Sequence, residues 1–190
     1  MIDSTWISGK FASGLPFASY LQTGTEEQQR RWRQVYEAAH LTDDQRQLVG
    51  GFERSMKILV FSGIWCGDCV EQCPLIQRVA EANPKKIEVR FVERVRESEL
   101  IPELRINGGS RVPVVLFLSE DDLWCATAGD RSIHRYRALA HRKLGAHCPT
   151  GIVLPEKEEL DATLADWLGE VERVQLMLRL TPRLREKHQD

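Results

Sequence analysis

The chain has 190 residues and a net charge of −2, so bulk electrostatics indicate neither a nucleic acid nor an anionic membrane as a partner. Its hydrophobic fraction of 42% suffices for a buried core, but no window approaches the roughly 18 apolar residues of a membrane span. The first residues carry neither the basic start nor the apolar run of a signal peptide. Five cysteines, odd in number and unevenly spaced, do not match a secreted disulfide framework, which favours a reducing cytoplasm.

Residues 1–52 are predicted to form a mainly helical N-terminal extension that carries no motif of chemical meaning. Glycines and prolines interrupt residues 1–23, so this part is expected to be an arm with at most one short helix. Capping-box patterns begin at Thr25 and Thr42, and each predicts the start of a helix.

Residues 53–145 are predicted to form an α/β domain. Strand patterns at 58–61 and 87–92 flank a helical pattern at 66–82, and such short connections predict a βαβ unit with parallel strands. After these come a short helix at 98–105, a buried strand at 112–118, an antiparallel strand at 123–128 and a helix at 132–144. The expected sheet is therefore mixed.

Residues 146–190 are predicted to be a loop followed by a long amphipathic helix, which starts at Pro155 and is stopped by Thr181 and Pro182. One side of this helix is apolar: Leu160, Leu164, Trp167, Leu168, Val171, Val174 and Leu178. Such a stripe ordinarily packs on the chain's own core, and a dimer seam is the less favoured alternative.

Two cysteines separated by two residues, Cys66 and Cys69, stand where the first predicted strand meets its helix. The orphan N–H groups and the positive dipole end of a helix N-terminus favour a thiolate, which predicts a lowered pKa for Cys66. Cys69, one turn further along, is close enough to attack a mixed disulfide formed at Cys66. This spacing indicates a thiol–disulfide oxidoreductase with a redox-active Cys66–Cys69 disulfide.

Over about residues 53–145 the chain resembles the thioredoxin family. Trp65 directly precedes Cys66, as in the W-C-G-x-C signature of that family, which here reads W-C-G-D-C. Pro74 follows Cys69 by five residues, where the family carries the proline that kinks the active-site helix. The added helical segments make the chain look like a lesser-studied bacterial thioredoxin-like group.

Two further positions match the family. Val112 and Pro113 correspond to its cis-proline loop, which lies against the disulfide, and Gly129 corresponds to the glycine that completes its substrate groove. The resemblance implies a groove for an extended substrate segment, formed by Ile64, Trp65, Val112, Pro113 and Gly129. The positions expected to tune the redox chemistry are Gly67, Asp68 and Pro74.

The resemblance implies a thioredoxin fold, a central mixed β-sheet flanked by helices, to which this chain adds N-terminal and C-terminal helices. It implies a disulfide reductase with Cys66 as the nucleophile and Cys69 as the resolving thiol, with no bound cofactor and no metal. The implied partners are protein disulfides as substrates and an external reductase or a low-molecular-weight thiol as electron donor. We expect a monomer or a weak dimer.

Two departures from the family pattern bear on mechanism. Asp68 stands where typical thioredoxins have proline, and its carboxylate is expected to disfavour a thiolate at Cys66 by like-charge repulsion. Val60 stands where the family buries an aspartate that helps to remove the proton from the second cysteine. General-base help for Cys69 must then come from water, from Asp68 or from another residue.

The remaining cysteines have other expected roles. Cys73 and Cys125 are predicted to be core residues, because free cysteine is among the most buried residue types. Cys148, in a loop beside His147, is the other candidate for a reactive thiol. A zinc site at Cys66 and Cys69 is disfavoured, because tetrahedral zinc needs four ligands and no second pair has a standard spacing.

The helix at 132–144 is basic. Its positive and imidazole side chains are expected to form a solvated face, or else a docking patch for an acidic partner: Arg131, His134, Arg135, Arg137, His141, Arg142 and Lys143. Two alternative functions also stay open. One is a dedicated reductant of a single partner enzyme, and the other is a non-catalytic thioredoxin-like binding module.

Overall fold

The computed structural model describes residues 3–94, 102–144 and 157–190. The N-terminal extension contains four helices: α1 (Ser4–Ser13), α2 (Phe17–Leu21), α3 (Glu26–Ala38) and α4 (Asp43–Gly50). Both predicted capping boxes are present, since the Thr25 and Thr42 hydroxyls each accept a hydrogen bond from the main-chain N–H three residues later. The first part of the extension has two helices, where the sequence predicted at most one.

The sheet has four strands: β1 (Met56–Ser62), β2 (Ile87–Glu93), β3 (Val114–Ser119) and β4 (Trp124–Ala128). Their order is β2-β1-β3-β4. Strands β1 and β2 are parallel, whereas β3 runs antiparallel to both β1 and β4. The predicted mixed sheet is confirmed, with β1 at an inner position that is buried along nearly its whole length.

Four further helices are described: α5 (Gly67–Glu81), α6 (Ile133–Leu144), α7 (Lys157–Leu180) and α8 (Pro182–His188). A short 3-10 turn spans Pro102–Leu104. Most of the helix predicted at 98–105, and the predicted helix start at Pro155, lie outside the described residues. Helix α8 was not predicted, because the Thr181-Pro182 stop is followed at once by a new helix that has proline in its first turn.

The N-terminal and C-terminal helices share one hydrophobic core with the sheet. Every residue of the apolar stripe on α7 is buried, so the prediction that this helix packs on its own chain is confirmed. In the N-terminal extension, the Tyr20 ring stacks on Phe91 of β2 at 5.3 Å and meets the edge of Trp32 at 5.5 Å. The extension is therefore packed into the fold. Within the described ranges, every helix is too short or too polar to cross a bilayer.

The outer edge of β2 is paired at one residue with the main chain of the N-terminal extension. Leu15, between α1 and α2, donates its N–H to the Phe91 carbonyl and accepts the Phe91 N–H, both at 2.8 Å. This two-bond bridge fixes the arm to the sheet.

Candidate redox-active site

The end of β1 and the start of α5 place the two cysteines. After Ser62 the chain turns, and the Cys66 N–H donates to the Gly63 carbonyl at 2.8 Å. Cys66 is the N-cap residue of α5, and its carbonyl accepts the Val70 N–H at 3.0 Å. This strand-to-helix junction therefore presents Cys66 at the positive end of a 15-residue helix.

The Cys66 side chain lies against the cis-proline loop. Its Sγ is 3.6 Å from the Val112 carbonyl oxygen, to which the thiol donates, and the residue is half-buried. The Val112–Pro113 peptide bond is cis, the conformation that the resemblance implies. The structure thus brings together the first cysteine and the loop expected to bind the substrate main chain.

Cys69 lies behind Cys66 and is fully buried. Its Sγ accepts the Gly63 N–H at 3.4 Å. Both cysteines are free thiols in the structure, which therefore represents the dithiol form. Access differs between the two: Cys66 is partly exposed to solvent, whereas Cys69 has no exposed surface.

The thiol pKa values differ from the sequence-based expectation. The hydrogen bond with Cys69 raises the pKa of Cys66, burial adds to the rise, and the Asp68 carboxylate contributes further. Burial also raises the pKa of Cys69. The position at the helix N-terminus was predicted to lower the pKa of Cys66. That effect is opposed, because two neighbouring thiols cannot readily both be charged.

Asp68 is held by a cation. The Arg131 guanidinium contacts its carboxylate in two places, at 2.8 Å (Nε to Oδ1) and at 2.5 Å (Nη2 to Oδ2). Such a bidentate pair fixes the carboxylate and partly cancels its charge. The repulsion expected between Asp68 and a thiolate at Cys66 is therefore weakened by a residue 63 positions away in the sequence.

Behind this pair lies a buried charged cluster. Arg135 contacts Glu71 of α5 and, at 2.7 Å, Glu159 of α7, and Arg142 contacts Glu159 at 2.6 Å. The cluster links α5 to α6 and α7. The expectation of a solvated basic face on α6 is thus wrong for Arg135, which is buried, because its acidic partners come from distant parts of the chain.

Trp65 is half-exposed, at 49% of its surface. The Arg94 guanidinium lies over its ring at 5.3 Å. A Cβ on Gly63 would come within 2.9 Å of the ring, so glycine is needed for this close approach. Trp65 therefore presents part of its ring to solvent beside Cys66.

Ile64 differs from the groove prediction, because its side chain is buried and points to Gly24, where an added Cβ would meet Ile64 Cγ1 at 2.6 Å. Its main chain is held on both sides. The carbonyl accepts the Trp32 indole N–H at 3.0 Å, and the N–H donates to the Glu93 carboxylate at 3.0 Å. Ile64 thus fixes the loop before the cysteines and does not form a groove wall.

Three other predicted groove and tuning residues lie in the described part of the chain. Gly129 follows β4, and a Cβ there would come within 2.8 Å of Ile106 Cδ1. Gly67 is the first residue of α5, and Pro74 lies buried inside that helix. A cavity of about 320 Å³ borders Gly129 between β4, α6 and α7, and neither Cys66 nor Cys69 lines it.

Of the remaining cysteines, Cys73 follows the prediction of a core role, whereas Cys125 follows it only in part. Cys73 is fully buried, as predicted, and lies 3.6 Å from the Ser62 hydroxyl. Cys125 is half-buried against the core, and Cys148 lies outside the described residues. Over residues 3–94, 102–144 and 157–190, no three histidine, cysteine or acidic side chains are grouped so that they could hold a metal ion.

The N-terminal extension contributes to the site, which the sequence analysis did not foresee. Tyr20 of α2 donates its hydroxyl hydrogen to the same Glu93 oxygen that accepts the Ile64 N–H. Trp32 of α3 fixes the Ile64 carbonyl. The one signal in the sequence was that Tyr20 and Trp32 are aromatic residues with a polar group, which usually finds a hydrogen-bond partner when it is buried. Both stand in a segment of otherwise ordinary helical pattern.

Comparisons with known proteins agree with this architecture. A family model described as Thioredoxin matches residues 14–132, well over half of the chain. The chain therefore belongs to the thioredoxin family. The matched region begins inside the N-terminal extension, in line with the packing of that extension into the fold.

Two solved structures share the fold. One is a protein of unknown function from Pseudomonas aeruginosa, with 21% identity and a TM-score of 0.69 over 92% of this chain and 99% of that one. The other is an HIV epitope scaffold, with 19% identity and a TM-score of 0.67 over 88% of this chain and 95% of that one. Identities this low show the fold alone. No curated protein sequence matches the chain.

Proposed function

We propose that the protein is a thiol–disulfide oxidoreductase that acts as a disulfide reductase through Cys66 and Cys69. The observation that carries this proposal is the unequal placement of the two thiols. Cys66 is half-exposed and faces the Val112 carbonyl at 3.6 Å, while Cys69 is buried directly behind it. An accessible nucleophile backed by a protected resolving thiol is the arrangement that a mixed-disulfide cycle requires.

The cycle has two exchanges. The Cys66 thiolate attacks a substrate disulfide, which forms a Cys66–substrate disulfide and releases the first substrate sulfur as a thiolate. The Cys69 thiolate then attacks the Cys66 sulfur, which forms the Cys66–Cys69 disulfide and releases the second substrate sulfur. The substrate gains two electrons and the protein loses two.

An extended substrate segment would lie along the cis-proline loop beside Trp65 and Gly129, held by main-chain hydrogen bonds. No bound cofactor takes part in this cycle. An external reductase or a low-molecular-weight thiol must return the protein to the dithiol form, which suits a reducing compartment such as the cytoplasm.

The test is a redox titration in defined thiol buffers, read by differential alkylation and peptide mapping of every cysteine. Cys66 and Cys69 are expected to convert together with a midpoint between about −180 and −270 mV. A Cys125→Ser variant serves as the control, because this cysteine lies in β4 and is expected to leave the midpoint unchanged.

A Cys69→Ser variant should accumulate mixed disulfides with protein substrates. Turnover on these trapped partners, compared with turnover on a generic protein disulfide, separates a general reductase from a dedicated one. If Cys66 and Cys69 never form a disulfide at any potential, the enzyme proposal fails and a binding module takes its place.

A further inference from the structure

Gln72 is a buried polar residue whose role the disulfide cycle does not explain. It lies in α5, one turn after Cys69, and its side chain has no exposed surface. An amide is costly to bury unless its N–H and C=O groups are hydrogen-bonded. In the described part of the chain, the Gln72 amide bonds to three main-chain groups that lie close to the two cysteines in sequence or in the fold.

Two of these bonds hold the segment between β4 and α6. The amide nitrogen donates to the Asp130 carbonyl at 2.7 Å, and the amide oxygen accepts the Ser132 N–H at 2.8 Å. The nitrogen also donates, at 3.3 Å, to the carbonyl of Asp68 in the first turn of α5. One side chain therefore joins the main chain on both sides of Arg131 to the turn that carries Asp68.

The Arg131 side chain has two acidic partners. Its Nη1 lies 3.2 Å from the Asp130 carboxylate, while Nε and Nη2 form the bidentate pair with Asp68. Asp130 is the preceding residue, so the first contact moves with the segment. The second contact crosses from the segment to α5. The pair with Asp68 therefore depends on where the segment lies relative to α5.

The Asp68 carboxylate acts on the nucleophile through its charge. The hydrogen bond with Cys69 and burial are the main causes of the raised pKa of Cys66, and Asp68 adds to them. Arg135 is also within 4.0 Å of the Asp68 carboxylate, but glutamates of α5 and α7 lie closer to its guanidinium. Compensation of the Asp68 charge therefore depends chiefly on Arg131.

We propose that Gln72 is a positioning residue of the redox-active site, which holds residues 129–132 against α5 so that Arg131 stays on Asp68. The proposal rests on the proposed oxidoreductase function, in which Cys66 is the nucleophile. Without the amide the segment shifts from α5, so that Arg131 keeps its contact with Asp130 and loses the one with Asp68. The uncompensated carboxylate then disfavours the Cys66 thiolate. Gln72 acts through Arg131 and takes no part in the exchange itself.

The test compares two buried glutamines. Gln72→Met keeps the approximate length of the side chain and removes its three hydrogen bonds. Gln72→Asn is a second variant, which keeps an amide in the core but is one methylene too short to span the same bonds. Gln175→Met is the matched control, because Gln175 of α7 is also buried and also donates to a main-chain carbonyl, that of Arg54 at 3.0 Å. Both methionine variants should lose stability.

The measurement is the rate at which iodoacetamide alkylates Cys66, assigned by peptide mapping and followed as a function of pH. At pH 7.5 both Gln72 variants should react about three- to tenfold more slowly than the parent, with the pH profile displaced to higher pH. Arg131→Met should slow the reaction at least as much. Gln72→Met combined with Arg131→Met should match Arg131→Met alone within about twofold, because no cation is left to position. Gln175→Met should match the parent.

A merely structural role gives a different result, since a loosened site exposes Cys66 and speeds alkylation at every pH. That result overturns the positioning role, and so does a Gln175→Met protein slowed as much as Gln72→Met. It is also overturned if Arg131→Met reacts at the parent rate, or if Gln72→Met slows the reaction equally without Arg131.

The oxidoreductase function fails separately. A parent protein whose Cys66 and Cys69 never form a disulfide in the redox titration would refute that function, while the alkylation rates would still report how Gln72 and Arg131 act on the Cys66 thiol. The two failures are therefore distinguishable.

Discussion

Glu71 offers a quantitative test of whether burial or attraction to Arg135 dominates in the buried charged cluster. Burial raises the pKa of Glu71 to about 7 from its ordinary value of 4.5, and the neighbouring Arg135 acts against that rise. At 1.36 kcal/mol per pKa unit, the difference corresponds to about 3 kcal/mol. The perturbation is Glu71→Gln, because glutamine has the shape of the protonated acid and does not titrate.

The sign follows from proton linkage. A folded-state pKa above the unfolded one means that the folded protein binds the proton more tightly, so its stabilising effect is fully present below pH 4.5. It is lost as the pH rises through about 7. Wild-type protein should therefore lose about 3 kcal/mol relative to Glu71→Gln over this range, most of it between pH 5 and pH 7.

The assay is urea unfolding of both proteins at half-unit steps from pH 5 to pH 8.5. The difference between the two curves cancels the histidines, which titrate in the same window. The reasoning is refuted if Glu71→Gln is less stable by a constant amount at every pH, because attraction to Arg135 would then outweigh burial.

Three further predictions concern single side chains. Asp68→Asn should lower the pKa of Cys66, since it removes a negative charge that raises it; the pH profile of alkylation rate measures it, and no change or a rise would contradict the prediction. Trp32→Phe should cost about 2 kcal/mol in urea unfolding, because it removes the indole bond to the Ile64 carbonyl and leaves a void; a cost below about 0.5 kcal/mol would disprove a supporting role. Gly169→Ala should stabilise by about 0.5–1 kcal/mol, since this helical glycine faces open space; a lower thermal midpoint would count against it.

Local patterns predicted much of the fold. The capping boxes at Thr25 and Thr42 fixed two helix starts, and the βαβ pattern placed β1, α5 and β2 to within about two residues. These features were accessible because each depends on residues close together in the sequence. The predicted apolar stripe of α7 is buried for the same reason, since helical periodicity reports which face meets the core.

The electrostatics of the site could not be predicted in the same way. Asp68 looked like an uncompensated charge beside Cys66, because nothing in the local sequence identifies Arg131 as its partner. Tyr20 and Glu93 are 73 positions apart, and each looks ordinary in its own segment. Such pairs depend on how the sheet and the extension fold together, which single-sequence patterns do not contain.

The bridge between Leu15 and Phe91 has a consequence for how the protein behaves in a crowded solution. An outer strand normally offers free N–H and C=O groups to any passing strand, which makes it a starting point for aggregation. Here the two groups of Phe91 are already occupied by the arm. Removal of the first 15 residues should therefore produce concentration-dependent association before it produces loss of the fold, because it exposes a template for strand pairing while most of the core is kept.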